Sequence, residues 1–238
     1  MSEQVKGPLV LGALVCLGLL GMGYLLGSSA IRFKEYERFV TVKGLAEREV
    51  AADVVVWPIR FSGADQDLST LYAHLQKDGE QVLQSLLAHG FAREEVTIAP
   101  PAVTDKLAQQ YGNAGRVELR YTGNQTITVY TSKIDLVRGA QEMLVDLGKK
   151  GIVIGGAEFG QRPEYLFTKL NDLKPAMIEE ATRKAREVAA KFAADSHSSL
   201  GKIRSANQGQ FTVADRDSNT PHVKNVRVVS TLEYYLSD

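Results

Sequence analysis

A run of acidic and amide side chains near the C-terminus has the spacing of an oxygen-rich metal loop. Asp215, Asp217 and Asn219 alternate in the order D-x-D-x-N, and Ca²⁺ takes oxygen ligands from such positions. A complete loop also has glycine at its sixth position and an acid at its twelfth. This chain has Thr220 and Val226 there. These three residues are therefore weak metal candidates, and a polar hairpin turn is the preferred interpretation.

Two glutamates, Glu47 and Glu49, are two residues apart on a predicted strand and so share one of its faces. Paired carboxylates can do general acid and base chemistry. An enzyme of that kind would need Glu47 and Glu49 to meet Asp215 and Asp217 in one pocket. Solvent-facing charge on a hairpin explains the pair more simply.

The remaining patterns point away from catalysis. No two of the four histidines stand at metal-ligand spacing, and neither a nucleophile elbow nor a phosphate-binding loop is present. The 28 basic residues balance the 28 acidic ones without a basic stripe, so no nucleic-acid partner is expected. The sequence therefore predicts a protein that is not an enzyme and has no cofactor, with an envelope hydrolase or metal enzyme and a small-ligand-binding module as alternatives.

The N-terminus has a long apolar run. The 25 residues from Gly7 to Ile31 have no charge, and 18 or more such residues can cross a bilayer as a helix. We expect an uncleaved transmembrane anchor in residues 1–31 that contacts lipid through residues 7–31 and exports the rest of the chain. A signal peptide cleaved after Ala30 and a buried core helix are the alternatives. Cys16, the one cysteine, lies inside this run.

Gly23 and Gly27 have the spacing that lets two membrane helices approach closely. They are candidates for helix packing in the membrane. Glycine is also common in membrane helices without such a role, and both interpretations stay open.

Residues 32–38 form a short charged spacer, and residues 39–238 form the soluble domain. Gly44 is expected to interrupt the first strand. The next run alternates through Trp57, and Pro58, which lacks an amide hydrogen, predicts a sheet edge or bulge. Gln109 to Gly115 is predicted to be a loop, and further strands are predicted in the C-terminal part.

Three helices are predicted between these strands. Asp67 is expected to cap the first, which ends at Gly90. Ser132 and Asp135 predict a capping box for the second, and Pro175 suits the first turn of the third. Helices separated by several antiparallel strands predict an α+β fold, with antiparallel sheets, helices on one face and an N-terminal transmembrane helix.

Three stretches resemble the SIMPL-domain (DUF541) family, in particular its membrane-anchored bacterial members. They are the opening strand from Val40 to Asp53, the stretch from Phe167 to Asp172 and the closing strand from Lys224 to Val229. The resemblance spans residues 36–236.

The resemblance implies an α+β domain that faces the bacterial periplasm or the cell surface. With the predicted anchor, we expect a single-pass inner-membrane protein with this domain in the periplasm, or a secreted domain if the chain is cleaved after Ala30. The resemblance also implies ring-like homo-oligomers, seen in some relatives, and a link to oxidative-stress tolerance. The family has no agreed catalytic residues, so the resemblance assigns none. We therefore expect a membrane-tethered, envelope-facing oligomeric scaffold or binding protein, whose small ligand, if any, the sequence does not identify.

Overall fold

The computed structural model describes residues 6–35, 38–108, 118–155 and 162–237, and side chains in the first helix only at residues 12 and 14–28. The four helices are α1 Lys6–Glu35, α2 Leu68–Ala88, α3 Ile134–Lys149 and α4 Leu170–Asp195. The ten strands are β1 Phe39–Ala51, β2 Val54–Asp65, β3 Val96–Ile98, β4 Ala102–Asp105, β5 Tyr121–Thr131, β6 Val153–Ile154, β7 Glu164–Leu166, β8 Ser199–Gln208, β9 Thr212–Asp215 and β10 Val223–Ser237. The predicted loop Gln109 to Gly115 lies outside the described residues.

The predicted α+β class with antiparallel sheets is confirmed. The chain divides into two compact units. Unit 1 is Met1–Arg48, Leu173–Thr212 and Arg227–Asp238, and unit 2 is Glu49–Asp172 and Val213–Val226. The sequence predicts one soluble domain over residues 39–238, and this boundary stays a prediction.

Helix α1 covers the apolar N-terminal run and extends to Glu35, into the predicted spacer. Its large apolar side chains from Leu14 to Leu26 are exposed. Within the described part of the chain, no helix meets both the length and the hydropathy needed to cross a membrane. The transmembrane part of the predicted fold is therefore not supported by the structure.

Unit 1 contains α4 and strands of a sheet with the order β1-β10-β8. Its helix buries one narrow stripe of mostly small side chains, Met177, Ala181, Ala185, Ala189 and Ala193. Ala185 and Ala189 pack with Val42, Leu232 and Tyr234 in a small core. The small stripe lets α4 approach the strands closely.

Gly44 lies where α4 comes nearest to β1. A Cβ atom added to Gly44 would stand 1.8 Å from the carbonyl oxygen of Ala181 and 2.7 Å from the amide nitrogen of Ala185. The predicted interruption at Gly44 is wrong, since β1 continues through it from Phe39 to Ala51. The glycine serves helix packing rather than a turn.

Unit 2 has a six-stranded sheet in the order β3-β5-β2-β6, with β4 beside β5 and β7 beside β2. Strand β2 alternates as the sequence predicts, and the side chains on one face are fully buried: Val55, Trp57, Ile59 and Phe61. Helices α2 and α3 contact this sheet. Their apolar stripes and the buried face form the main core of the unit.

Pro58 does not place β2 at an edge, so that prediction is wrong. Strand β2 is interior, with β5 along its full length on one side. On its other side β7 pairs with Val54–Val56 and β6 pairs with Phe61–Ser62. Pro58 lies between these two short partners, where its missing amide hydrogen costs no ladder bond.

Both predictions for the ends of α2 are confirmed, whereas those for the starts of α3 and α4 are wrong. An Asp67 carboxylate oxygen accepts a hydrogen bond from the amide of Thr70 at 2.8 Å, which confirms the cap of α2. Gly90 follows that helix with a positive φ of 95°. The capping box at Ser132 is wrong, because α3 starts one residue after Lys133 without a side-chain cap. Pro175 lies inside α4 rather than in its first turn.

Asp78 is an unusual member of the unit 2 core. Its residue is 6% exposed on the buried side of α2, and its carboxylate lies 3.9 Å from Nε2 of His74. Burial raises the pKa of the Asp78 carboxyl, and the nearby His74 and Lys77 only partly offset this. Folding therefore disfavours the charged form of the Asp78 carboxyl relative to the unfolded chain.

We expect Asp78→Asn to raise the melting temperature at pH 7. The folded pKa lies above the unfolded one, so the folded state binds the proton more tightly. The stability of the wild type then falls as the pH rises from about 4 through the raised pKa. The gain of Asp78→Asn should shrink as the pH is lowered to about 4. Thermal melts across this range test it, with exposed Asp135→Asn as the control, and a pH-independent difference would contradict it.

Candidate ligand-binding site

A cavity of about 1070 Å³ lies in unit 2, between β2, the segment around β7 and the hairpin of β9 and β10. Apolar side chains line much of it, among them Pro58, Leu166 and Val213. Lys224 and Asp215 place opposite charges on the same wall. We call it the Lys224 cavity. An apolar recess with a few polar groups is the usual form of a small-molecule site.

Lys224 is the polar centre of the cavity. It is 7% exposed, and its ammonium group donates to an Asp215 carboxylate oxygen. The side chain of Asp215 is 48% exposed, so the carboxylate end of the pair reaches solvent. An ammonium group has three N–H bonds, and that to Asp215 is the one hydrogen bond it makes within the described residues. Two donors are left for an acceptor in the cavity.

Lys224 lies on the buried face of β10. In β10 the buried positions alternate, so Lys224 shares a face with Val226 and Val228. Sequence reasoning missed this residue as a site residue. The sequence did contain a signal for it, a lysine on the apolar face of an alternating strand. A buried charge needs a partner, so such a lysine indicates a site.

The predicted metal residues form a turn instead of a ligand set. One Asp217 oxygen accepts hydrogen bonds at 2.8 Å from the amides of Asn219 and Thr220. The other accepts from the hydroxyl of Thr220 and from Nε of Arg216. These bonds, led by the Thr220 hydroxyl, hold the pKa of Asp217 far below its usual value.

The turn therefore occupies both oxygens of Asp217, while Asp215 pairs with Lys224. Asn219 contributes its backbone amide. In the residues that the structure describes, no group of three or more His, Cys, Asp or Glu side chains could hold a metal ion. The polar hairpin turn, the preferred interpretation of these residues, agrees with the antiparallel bond from the Arg216 amide to the Val223 carbonyl at 2.9 Å.

The two glutamates of the predicted carboxylate pair form ion pairs with arginine side chains. Glu47 lies 3.3 Å from a guanidinium nitrogen of Arg227, and Glu49 lies 3.3 Å from one of Arg216. All four carboxylates that the enzyme alternative requires are thus paired with cations. That arrangement favours a structural role for each of them.

Gly23 and Gly27 are exposed along α1, and apart from the adjoining helix no atom of the described residues lies within 4 Å of a Cβ added to either. Their role in packing against a second helix stays a prediction.

Asp53 anchors the segment that forms one wall of the cavity. One of its oxygens accepts from the amide of Thr168 at 2.8 Å, and the other accepts from the Thr168 hydroxyl at 2.8 Å. Thr168 lines the Lys224 cavity. Burial pushes the pKa of Asp53 upward, but the hydrogen bonds from Thr168 outweigh it and lower the pKa overall.

We expect Asp53→Ala to destabilise the protein by about 1 kcal/mol at pH 7, because it removes two hydrogen bonds to a partly exposed charge. The folded pKa is lowered, so this stabilisation is present above pH 4 and is lost as the pH falls through the lower folded value. Urea titrations at pH 7 and pH 3 measure it. Asp146→Ala, which breaks only an exposed pair with Lys149, should change stability much less. Equal losses in both variants would contradict the anchor.

The two stretches joined by this anchor, one ending at Asp53 and the other containing Thr168, both carry the resemblance to the SIMPL-domain family. A family model, SIMPL, described as "Protein of unknown function (DUF541)", matches residues 40–231. A comparison with curated proteins finds no match.

Proposed function

The chain belongs to the SIMPL (DUF541) family, whose function is unknown, and we propose that it is an envelope-facing binding protein that holds a small amphipathic anion in the Lys224 cavity. The observation that carries this proposal is the buried ammonium group of Lys224, which has spare N–H donors beside apolar walls. A carboxylate on an apolar skeleton matches both features.

The energetics favour such a ligand. Burying an ammonium group is costly unless it is paired and hydrogen-bonded, and Asp215 satisfies only part of that need. A ligand carboxylate near Lys224 would add charge-assisted hydrogen bonds, which are stronger than neutral ones. The apolar part would displace water from Pro58, Leu166 and Val213. The cavity volume of about 1070 Å³ is sufficient for a drug-sized molecule.

The fluorescent probe 8-anilinonaphthalene-1-sulfonate, which combines an apolar ring system with an anionic group, tests the cavity. We expect saturable fluorescence enhancement with the wild type. Ala214→Trp, at an exposed position that lines the cavity, should fill it and reduce the enhancement at least tenfold. Ala206→Trp on exposed β8 is the matched control and should bind as the wild type does. Unchanged binding by Ala214→Trp would rule out the cavity as the site.

We extend the proposal to the location of this domain, tethered by residues 7–31 to the bacterial inner membrane with the cavity in the periplasm. Support comes from the 25 uncharged residues and from the exposure of the described α1 side chains. The full-length chain is expected to stay with membranes after an alkaline carbonate wash, and deletion of residues 7–31 should release it. If the full-length chain, with its N-terminus intact, is released into the wash, the proposed tether is contradicted.

A second candidate function, an oligomeric scaffold, is favoured by β8. This strand ends the sheet order β1-β10-β8, pairs with β10 on one side, and is exposed at all but one of its ten residues. Unpaired strand edges are templates for pairing with another chain. Because β1 and β8 end the same sheet, we propose that β8 of one copy pairs with β1 of the next, in a head-to-tail arrangement that can close into a ring.

Sedimentation of the full-length chain over a range of concentrations tests the scaffold. Ile203→Lys places a charge on the exposed β8 edge, where Ile203 is 47% exposed, and should weaken self-association at least tenfold. Val145→Lys, on exposed α3, should leave it unchanged. A monomer at all concentrations would exclude the scaffold while leaving the binding proposal intact.

A further inference from the structure

The six-stranded sheet of unit 2 has a second face. Residues directly opposite in an antiparallel pair lie on the same face, and the register pairs Ser62 with Asn124 and Ala64 with Thr122. Thr122 is also paired with Thr104 of β4. These residues alternate with the buried Phe61 and therefore point away from the main core. All of them are half-buried rather than fully exposed.

Their small side chains leave a recess of about 540 Å³ on this face, with Arg60 and Val153 among its lining residues. We call it the Arg60 recess. It shares no lining residue with the Lys224 cavity. The linings differ in charge, since the Lys224 cavity has the carboxylates of Glu164 and Asp215 and the described lining of the Arg60 recess has none.

The polar side chains of the recess make no hydrogen bond to one another or to any other described residue. They are Arg60, Ser62, Thr104, Thr122 and Asn124. Arg60 forms no ion pair within the described chain, and no carboxylate is among the described lining residues. The described lining residues therefore carry one formal charge, the positive charge of Arg60. A guanidinium group has five N–H donors in a planar fork, which binds carboxylate or phosphate through two bonds.

We propose that the Arg60 recess binds a polyhydroxylated molecule that bears an oxyanion, with the oxyanion on Arg60 and the hydroxyl groups on Asn124, Thr122 and Ser62. The oxyanion can be the carboxylate of a sugar acid or the phosphate of a sugar phosphate. Both match the single positive charge, and hydroxyl and amide side chains both donate and accept, as a polyol requires. An aliphatic anion of the kind proposed for the Lys224 cavity lacks these hydroxyl partners.

Calorimetric titration of the full-length chain with glucuronate, glucose 6-phosphate and glucose tests this site. At least one charged sugar should bind saturably and glucose at least tenfold more weakly, and the tighter of the two charged sugars identifies the oxyanion. Arg60→Gln should weaken that binding at least tenfold. Arg186→Gln, on the exposed face of α4, should leave it unchanged.

Ala64→Leu provides a second variant, because it fills the recess from a half-buried position without removing a charge. It should abolish binding of the charged sugar, while thermal melts report whether it folds. Neither Arg60→Gln nor Ala64→Leu should alter binding of the fluorescent probe in the Lys224 cavity, so this site and the proposed function can fail separately. Absence of saturable binding for both charged sugars, or equal affinity in Arg60→Gln, would overturn the proposal.

Discussion

Replacing Gly44 with alanine is expected to lower the free energy of unfolding by about 3 kcal/mol, the upper end of the usual cost of overpacking. The added methyl group would overlap the Ala181 carbonyl oxygen at 1.8 Å and approach the Ala185 amide nitrogen at 2.7 Å. Both are backbone atoms inside α4, so no side-chain rotation relieves the clash. The helix must move off β1, which opens the small core that contains Val42, Ala185 and Ala189.

A urea titration measures this loss, and Gly139→Ala in α3 is the matched control. Apart from the adjoining turns of α3, no atom in the described part of the chain lies within 4 Å of a Cβ added to Gly139. In an exposed helical position, alanine should stabilise by about 0.5 to 1 kcal/mol relative to glycine. Midpoints that agree for Gly44→Ala and the wild type would show that α4 does not pack closely on β1.

Replacing Lys224 with methionine is expected to weaken the binding of decanoate, a simple aliphatic carboxylate, by roughly 30-fold. That corresponds to about 2 kcal/mol, the usual contribution of hydrogen bonds to a charged group. Methionine has a similar length and no charge. The substitution removes one partner of an ion pair, which is strongly destabilising only where the remaining charge stays buried. The half-exposed Asp215 carboxylate can be solvated once Lys224 is gone. Calorimetric titration of both proteins gives the two affinities.

Two comparisons separate this effect from a general loss of charge. Lys43→Met removes an exposed lysine of β1 and should bind decanoate as tightly as the wild type. Decanol has the same alkyl chain without the carboxylate, so its affinity should be the same for Lys224→Met and the wild type. A decanoate affinity that does not change in Lys224→Met would remove Lys224 from the site.

Local signals predicted the parts of the fold that depend on neighbours in the sequence. The cap at Asp67 is confirmed, because it needs only the amide of Thr70 three residues on. The helix end at Gly90 is confirmed as well, because it needs only a positive φ at that glycine. The alternation through Trp57 is confirmed, because one face of β2 is buried along its length. The family was also recognisable from its motifs, and the anchor from Asp53 to Thr168 shows that two of them meet in space.

The wrong predictions concern positions whose structure depends on residues that are distant in the sequence or on where an element begins. The sequence predicts that Gly44 interrupts its strand, but the close approach of α4 requires a glycine within the strand. Pro58 is interior because β6 and β7 are both short and leave a gap beside it. Pro175 is at the sixth position of α4 rather than in its first turn, because the helix starts earlier than the proline indicates, at Leu170. Only the tertiary structure reveals these causes.

The site was partly visible in the sequence. Asp215 was identified, but as a metal candidate, because its spacing with Asp217 resembles a cation loop. The structure gives each carboxylate a different partner, Lys224 for the first and the backbone amides of the turn for the second. Lys224 comes to Asp215 across the hairpin, a pairing that depends on the register of β9 and β10. That register is not determined by any single local motif.

We propose above all that Lys224 receives an anionic group in the cavity that it lines. The most direct test is an experimentally determined structure of the full-length chain with decanoate bound. We expect the carboxylate within hydrogen-bond distance of Nζ of Lys224, about 2.7 to 3.2 Å, and the alkyl chain against Pro58, Leu166 and Val213. Decanoate bound at another place, or a Lys224 cavity that stays without it at saturating concentration, would contradict the account.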